Sequence, residues 1–195
     1  MRPVLAVAAL VLVLVLGVST AGSASGAVTA SHPCANANTS VWRVPPSVLR
    51  SALVCLIDRA RARRGLPALY EQRELDSAAQ GHSDAMVIHD YFSHEGLRGS
   101  SPGARISAAG FDWGAYGEAI STGYRTAWQA IWGWLTSTPH CQILLSPMYR
   151  YIGIGIDPHG VPGMTSSGTW TADLALPLDW PPPSGDWGPA NGCPY

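Results

Sequence analysis

Residues 149–176 read YRYIGIGIDPHGVPGMTSSGTWTADLAL. The first part, YRYIGIGID, is a short apolar run with small glycines set between isoleucines. The last part, GTWTADLAL, is a second run of the same kind. The stretch between them carries glycine and proline. Two short apolar runs bounded by turn residues predict two buried strands joined as a hairpin. Upstream of this pair the pattern changes period, and that change decides the class of fold.

Pro45-Pro46 with Ser47 predicts a helix start. Leu49, Ala52, Leu53, Leu56, Ile57 and Ala60 then recur at helical spacing. Gly65 and Pro67 end that helix near Arg64. Arg59, Arg61, Arg63 and Arg64 are expected to be exposed cations near its C-terminus, where the helix dipole favours positive charge. A second helix is predicted from Arg73 to His89, with Leu75, Ala78, Ala79, His82, Met86 and His89 on one face. His82 and His89 are then about 10.5 Å apart along the axis. That is too far to share a metal ion, and each is expected to be hydrogen-bonded in a packed face. GLRGSSPG (96–103) reads as a loop. A short helix follows from Pro102 to Gly110, then a short strand around Ala119 to Thr122. A third helix covers Thr126 to Leu135, and TSTPHCQILLSP (136–147) reads as a frayed helix end and a turn. Helices first and strands last, with a helix between, predict an α+β domain built in layers.

The chain has 195 residues, enough for one domain with a proper core. Its formal net charge is −1, from 12 basic and 13 acidic residues, so nucleic acid is not an expected partner. The first residues are of a different composition. Arg2 precedes an apolar run from Val4 to Val18, and small residues follow. This is the layout of a secretory signal peptide, residues 1–27, cut after Ala27, with Ala24 and Ala30 as alternative sites. The run is about 15 residues long, short of the roughly 20 that span a bilayer. No stable transmembrane anchor is therefore expected, and the protein is expected outside the cell. Residues 28–46 read as an extended lead-in, 47–176 as the domain, and 177–195 as a proline-rich tail.

Four cysteines, Cys34, Cys55, Cys141 and Cys193, lie in the exported part. An even count outside the cytoplasm points to two disulfides. Of the three possible pairings, Cys34–Cys55 with Cys141–Cys193 is the expected one, because each bond ties a terminal segment to the body. No C-x-x-C pair supports a zinc site instead.

Standard catalytic motifs are absent. There is no phosphate-binding loop and no H-E-x-x-H; GSSPG (99–103) matches G-x-S-x-G as a string, but no predicted strand leads into it, as a nucleophile elbow requires. Three polar residues stand out in apolar or glycine-bounded surroundings: His94 in FSHEG, Glu118 in YGEAIS and His140 in STPHCQ. Imidazole and carboxylate are the groups that bind zinc or exchange protons near neutral pH.

From Val54 to Ala175 a series of segments, taken in order, resembles the CAP superfamily of cysteine-rich secretory, antigen 5 and pathogenesis-related proteins. These are LIDRARARRGLPAL, LDSAAQGHSDAM, YFSHEG, SPGARISAAGF, GEAI, WGWLTSTPHCQILLSPMYRYIGIGI and GTWTADLA. The likeness is to the bacterial secreted branch. It implies a three-layer α-β-α sandwich with a small, mainly antiparallel sheet. It also implies that His94, Glu118 and His140 line one cleft, where the two histidines can hold a divalent metal such as zinc. The family's second glutamate falls near Ser137, so only one carboxylate is expected there. With two histidines as ligands, metal binding is expected to be weak and exchangeable. Ala119, Ile143 and Ala172 stand where the family has amide side chains, which predicts a cleft either less well ordered or suited to an apolar ligand. The first functional expectation is a monomeric binding module for a lipid, a peptide or a cell-wall fragment, rather than an enzyme. The alternative is a zinc-assisted hydrolase or peptidase with Glu118 as general base.

Overall fold

The hairpin lies at the middle of the sheet. A computed structural model of the chain describes residues 34–183 and Cys193. The expected signal peptide and most of the tail lie outside the described residues. Strand β3 (Tyr151–Asp157) pairs antiparallel with β4 (Thr169–Pro177), from Tyr151↔Ala175 to Asp157↔Thr169. Strand β2 (Trp113–Thr122) takes the other edge of β4, also antiparallel. The two residues Tyr70–Glu71 form β1, parallel to the start of β3. The order is β1-β3-β4-β2, a mixed but mainly antiparallel sheet.

The glycines of IGIGI have a packing cause. Alternate side chains of a strand point to opposite faces. Ile152, Ile154 and Ile156 are buried on one face. On the other, a Cβ at Gly153 would collide with the backbone of Leu75 and Asp76, and one at Gly155 with that of Ala79 and Gln80. Helix α2 (Arg73–Ile88) therefore lies with its backbone directly against β3. Helix α3 (Pro102–Ala108) packs beside α2 and against β2. Helices α1 (Pro46–Ala62), α4 (Ala127–Leu135) and α5 (Thr138–Leu144) cover the opposite face. Leu49, Leu53 and Ile57 of α1 share that core with Ile152, Ile154, Trp134, Trp170 and Leu174. The result is the expected three-layer sandwich.

Four local expectations are corrected. Strand β2 begins at Trp113, six residues before the predicted start, because it pairs with β4 over its whole length. Residues 138–144 are helical; Pro139 falls in the first turn, where it costs no hydrogen bond, and Cys141 and Leu144 are buried. From Cys34 on, the lead-in is folded in tight turns, with Cys34, Ala37 and Val41 buried. The Ala37 carbonyl accepts from Trp128 N, serving an otherwise unpaired donor in the first turn of α4. Arg61 is wholly buried, not a solvated cation.

Both expected disulfides are formed, Cys34–Cys55 and Cys141–Cys193, closing segments of 21 and 52 residues. In the chain-entropy account these loops are worth about 3 and about 4 kcal/mol. The double Ser variant at Cys141 and Cys193 is therefore expected to lose more stability in urea unfolding than that at Cys34 and Cys55. An equal or reversed loss would show that strain or denatured-state structure dominates.

Candidate functional site

Glu118 lies in β2, facing the α2 side of the sheet, and is 5% exposed. A carboxylate so placed needs donors. His94 Nδ1–H donates to its Oε1 at 2.7 Å. Arg105 Nη2 donates to its Oε2 at 2.5 Å. Arg105 reaches it from α3, whose start is capped by Ser101 Oγ accepting from Ala104 N. The same guanidinium holds the His94 loop: Nη1 donates to the carbonyls of His94 at 3.1 Å and Ser100 at 2.8 Å. From α2, His82 Nε2–H donates to the Ser93 carbonyl at 3.0 Å. The loop carrying His94 is thus fixed from two helices, and its imidazole is aimed by Glu118 while remaining about half exposed.

Burial works to raise the Glu118 carboxyl. The His94 hydrogen bond, and then the charge of Arg105, more than offset it, and the group stays below its ordinary range. His82 goes the other way: burial pushes its imidazole down, against the pull of Glu118. His82 is therefore neutral at pH 7, and its 3.9 Å approach to Glu118 is not an ion pair.

His140 sits in the first turn of α5, half-buried, with Nδ1 2.8 Å from Ser137 Oγ. Burial, and then the charge on His94, push it down. The two histidines thus lie within electrostatic reach, His94 on a loop and His140 in α5, the helix on the opposite side of the sheet. Glu118 touches His94; no contact between His140 and Glu118 is found among the described residues. Nor, among them, is any group of three or more His, Cys, Asp and Glu arranged to hold a metal ion. Beside the site Gly117 has no side chain, which lets Ile143 and Tyr149 pack against it, and Tyr149 O–H donates to the Tyr116 carbonyl.

The sequence model of the cysteine-rich secretory protein family, CAP, matches residues 54–171, a span holding His94, Arg105, Glu118 and His140. The chain belongs to this family. A relative of this CAP chain in Bacillus subtilis (strain 168), described as the uncharacterized membrane protein YlbC, is 29% identical over 116 residues. The match covers 60% of this chain and 34% of that protein, so the CAP chain spans about a third of the relative's length. Two solved structures share the CAP fold. One is an extracellular protein containing a SCP domain from Bacillus anthracis, at 23% identity and TM-score 0.58, covering 68% of this chain and 44% of that one. The other is an outer surface protein from Borrelia burgdorferi, at 18% identity and TM-score 0.56, covering 64% of this chain and 90% of that one.

Several residues are not where sequence reasoning put them. His89 is exposed at the end of α2, not in a packed face. Ala119 and Ala172 are cross-strand partners, both fully buried in the core on the sheet face opposite Glu118. They shape that core and not a ligand's surroundings. Arg105 went unrecognised as a site residue; its signal was a single cation inside a short helix of small residues. Asp173, opposite Glu118 in β4, was likewise missed. Its signal was one carboxylate within the apolar run TWTADLAL.

Proposed function

We propose that this CAP domain is exported and holds a small ligand, a lipid, a peptide or a cell-wall fragment, beside His94 and His140. Export rests on the signal-like N-terminus and the two disulfides. Relatives described as extracellular and outer-surface proteins support it, while one described as a membrane protein leaves room for attachment. Among the described residues no helix is long and apolar enough to cross a membrane.

The observation that carries the reading is the state of Glu118. Both its oxygens are occupied, its side chain is 2% exposed, and its basicity is depressed. A general base must reach the proton it removes and hold it. Glu118 instead serves to orient His94, which favours binding over hydrolysis. A divalent cation fits the donors present to a limited degree. A carboxylate-bound imidazole is the usual support for a metal-ligating histidine. His94 has that support, and His140 has its Nδ1 on Ser137, so each would offer Nε2. The ion, when bound, would supply an electrophilic contact for an anionic or carbonyl group of the ligand.

Calorimetric titration of zinc into the protein, His94→Ala and His140→Ala tests this. Weak saturable binding is expected, reduced at least about tenfold in each variant, on the scale seen when supports of a metal site are lost. Equal binding by all three proteins would remove the imidazoles from any cation site. Saturable uptake of a labelled lipid or peptide without cleavage supports the binding reading. Cleavage of a peptide panel abolished by Glu118→Gln would replace it with catalysis.

A further inference from the structure

We infer that Asp173 is a neutral carboxylic acid whose proton is donated to Glu118, so that the two facing carboxyls share one proton and one negative charge, and Asp173 is a positioning residue for the carboxylate that aims His94. The inference stands on the buried cluster alone and does not depend on any ligand.

Asp173 of β4 is the direct cross-strand partner of Glu118 of β2. Directly opposed residues of an antiparallel pair put their Cβ atoms about 4.5–5.5 Å apart on one face. Asp173 has no solvent exposure, and neither of its oxygens receives a hydrogen bond from a described donor. Among the described residues no cation hydrogen-bonds to it. Arg105 commits both terminal nitrogens to Glu118, His94 and Ser100, and its buried Nε has no hydrogen-bond partner among the described residues. A buried carboxylate with neither donor nor counter-charge takes up a proton.

The same geometry says which carboxyl keeps the charge. Two opposed carboxyls cannot both ionise cheaply. Glu118 has the guanidinium and the His94 N–H; Asp173 has neither. Burial first, and then the Glu118 charge, push Asp173 well above the usual carboxylate range, with Arg105 opposing. The remaining groups around the pair are accounted for. α2 contributes His82, and the loop after it His94 and Tyr91. α3 contributes Arg105, and β3 presents Gly153, which has no side chain. The interior of the site therefore carries one anion and one cation. His94 is held by a directed hydrogen bond and not by surplus negative charge.

Two measurements on the full protein decide it. Carbon-13 NMR of the Asp173 carboxyl is expected to show the protonated form at pH 7, with no titration between pH 3 and 6. A midpoint near 4, the ordinary Asp value, would overturn the inference. The second compares urea unfolding of the protein with that of Asp173→Asn, which keeps shape and a donor. An acid raised in the folded state contributes fully below its unfolded value, about 4, and its contribution is lost as pH rises toward the folded value. The folding constant of the Asn variant, relative to the parent, is thus expected to rise about tenfold per pH unit from pH 5 to 7. A ratio independent of pH would mean that Asp173 only fills space, and would also overturn it. If the variant does not fold, the carboxyl titration of the parent still decides.

Discussion

Arg105→Met is expected to destabilise the fold by about 3–5 kcal/mol, the usual result of removing one partner of a buried ion pair. The partner left behind is Glu118, whose side chain is 2% exposed and which keeps only the His94 hydrogen bond among the contacts of the described residues that reach its oxygens within 3.5 Å. The loss has a second part. The guanidinium also ties the carbonyls of His94 and Ser100, so the loop that carries His94 loses its tie to α3. The sign with pH follows from Glu118. Its folded value is depressed in the parent, so the pair contributes stability above about pH 4.3, and that contribution is lost as pH falls through the folded value. The gap between parent and variant in urea unfolding should therefore be widest near pH 7 and narrow toward pH 3. Adding Glu118→Gln to Arg105→Met removes the stranded charge and should restore part of the loss. If the single variant costs less than about 1 kcal/mol, the scale of a surface pair, the pair is effectively solvated and the account of the site fails.

Arg61→Met is expected to cost at least about 3 kcal/mol, because it strips the donor from three carbonyls, one buried and two partly buried. Arg61 Nε donates to the Pro67 carbonyl, and Nη1 donates to those of Leu144 and Ser146, all at 2.9 Å. One side chain thus ties the end of α1 to the loop after it and to the end of α5, the helix that carries His140. Burial lowers the guanidinium to about 10, which still leaves it charged at neutral pH. Arg61→Lys should not rescue the loss, since an ammonium on a flexible stem cannot reproduce the planar fork. Thermal unfolding of the two variants checks this. Full stability of the Lys protein would show that charge alone is needed, not the fork.

These two arginines mark where reading the sequence stopped. Arg61 sits in the run RARARR, and the run reads as a solvated helix end. Its neighbours in the run give no sign that this one side chain turns inward, because its acceptors are up to 85 residues away along the chain. Arg105 and Asp173 share the difficulty. Each is a single charge among small or apolar residues, a signal that points to burial without naming the partner.

What the sequence by itself determined was local: helix faces at a period of about 3.6, two strands read from short apolar runs, the cysteine pairing, and three polar residues in apolar settings. Those features depend on residues near one another in the chain, and the family likeness orders them. Only the tertiary structure decided that Glu118 faces α2 and meets His94, that Arg105 closes the pair, and that Asp173 lies opposite. It also decided that the amide-to-alanine positions belong to the core on the other face. The physical reason is that strand register sets which side chains share a face. Register arises from long-range pairing of β2 with β4, which no short stretch of sequence encodes.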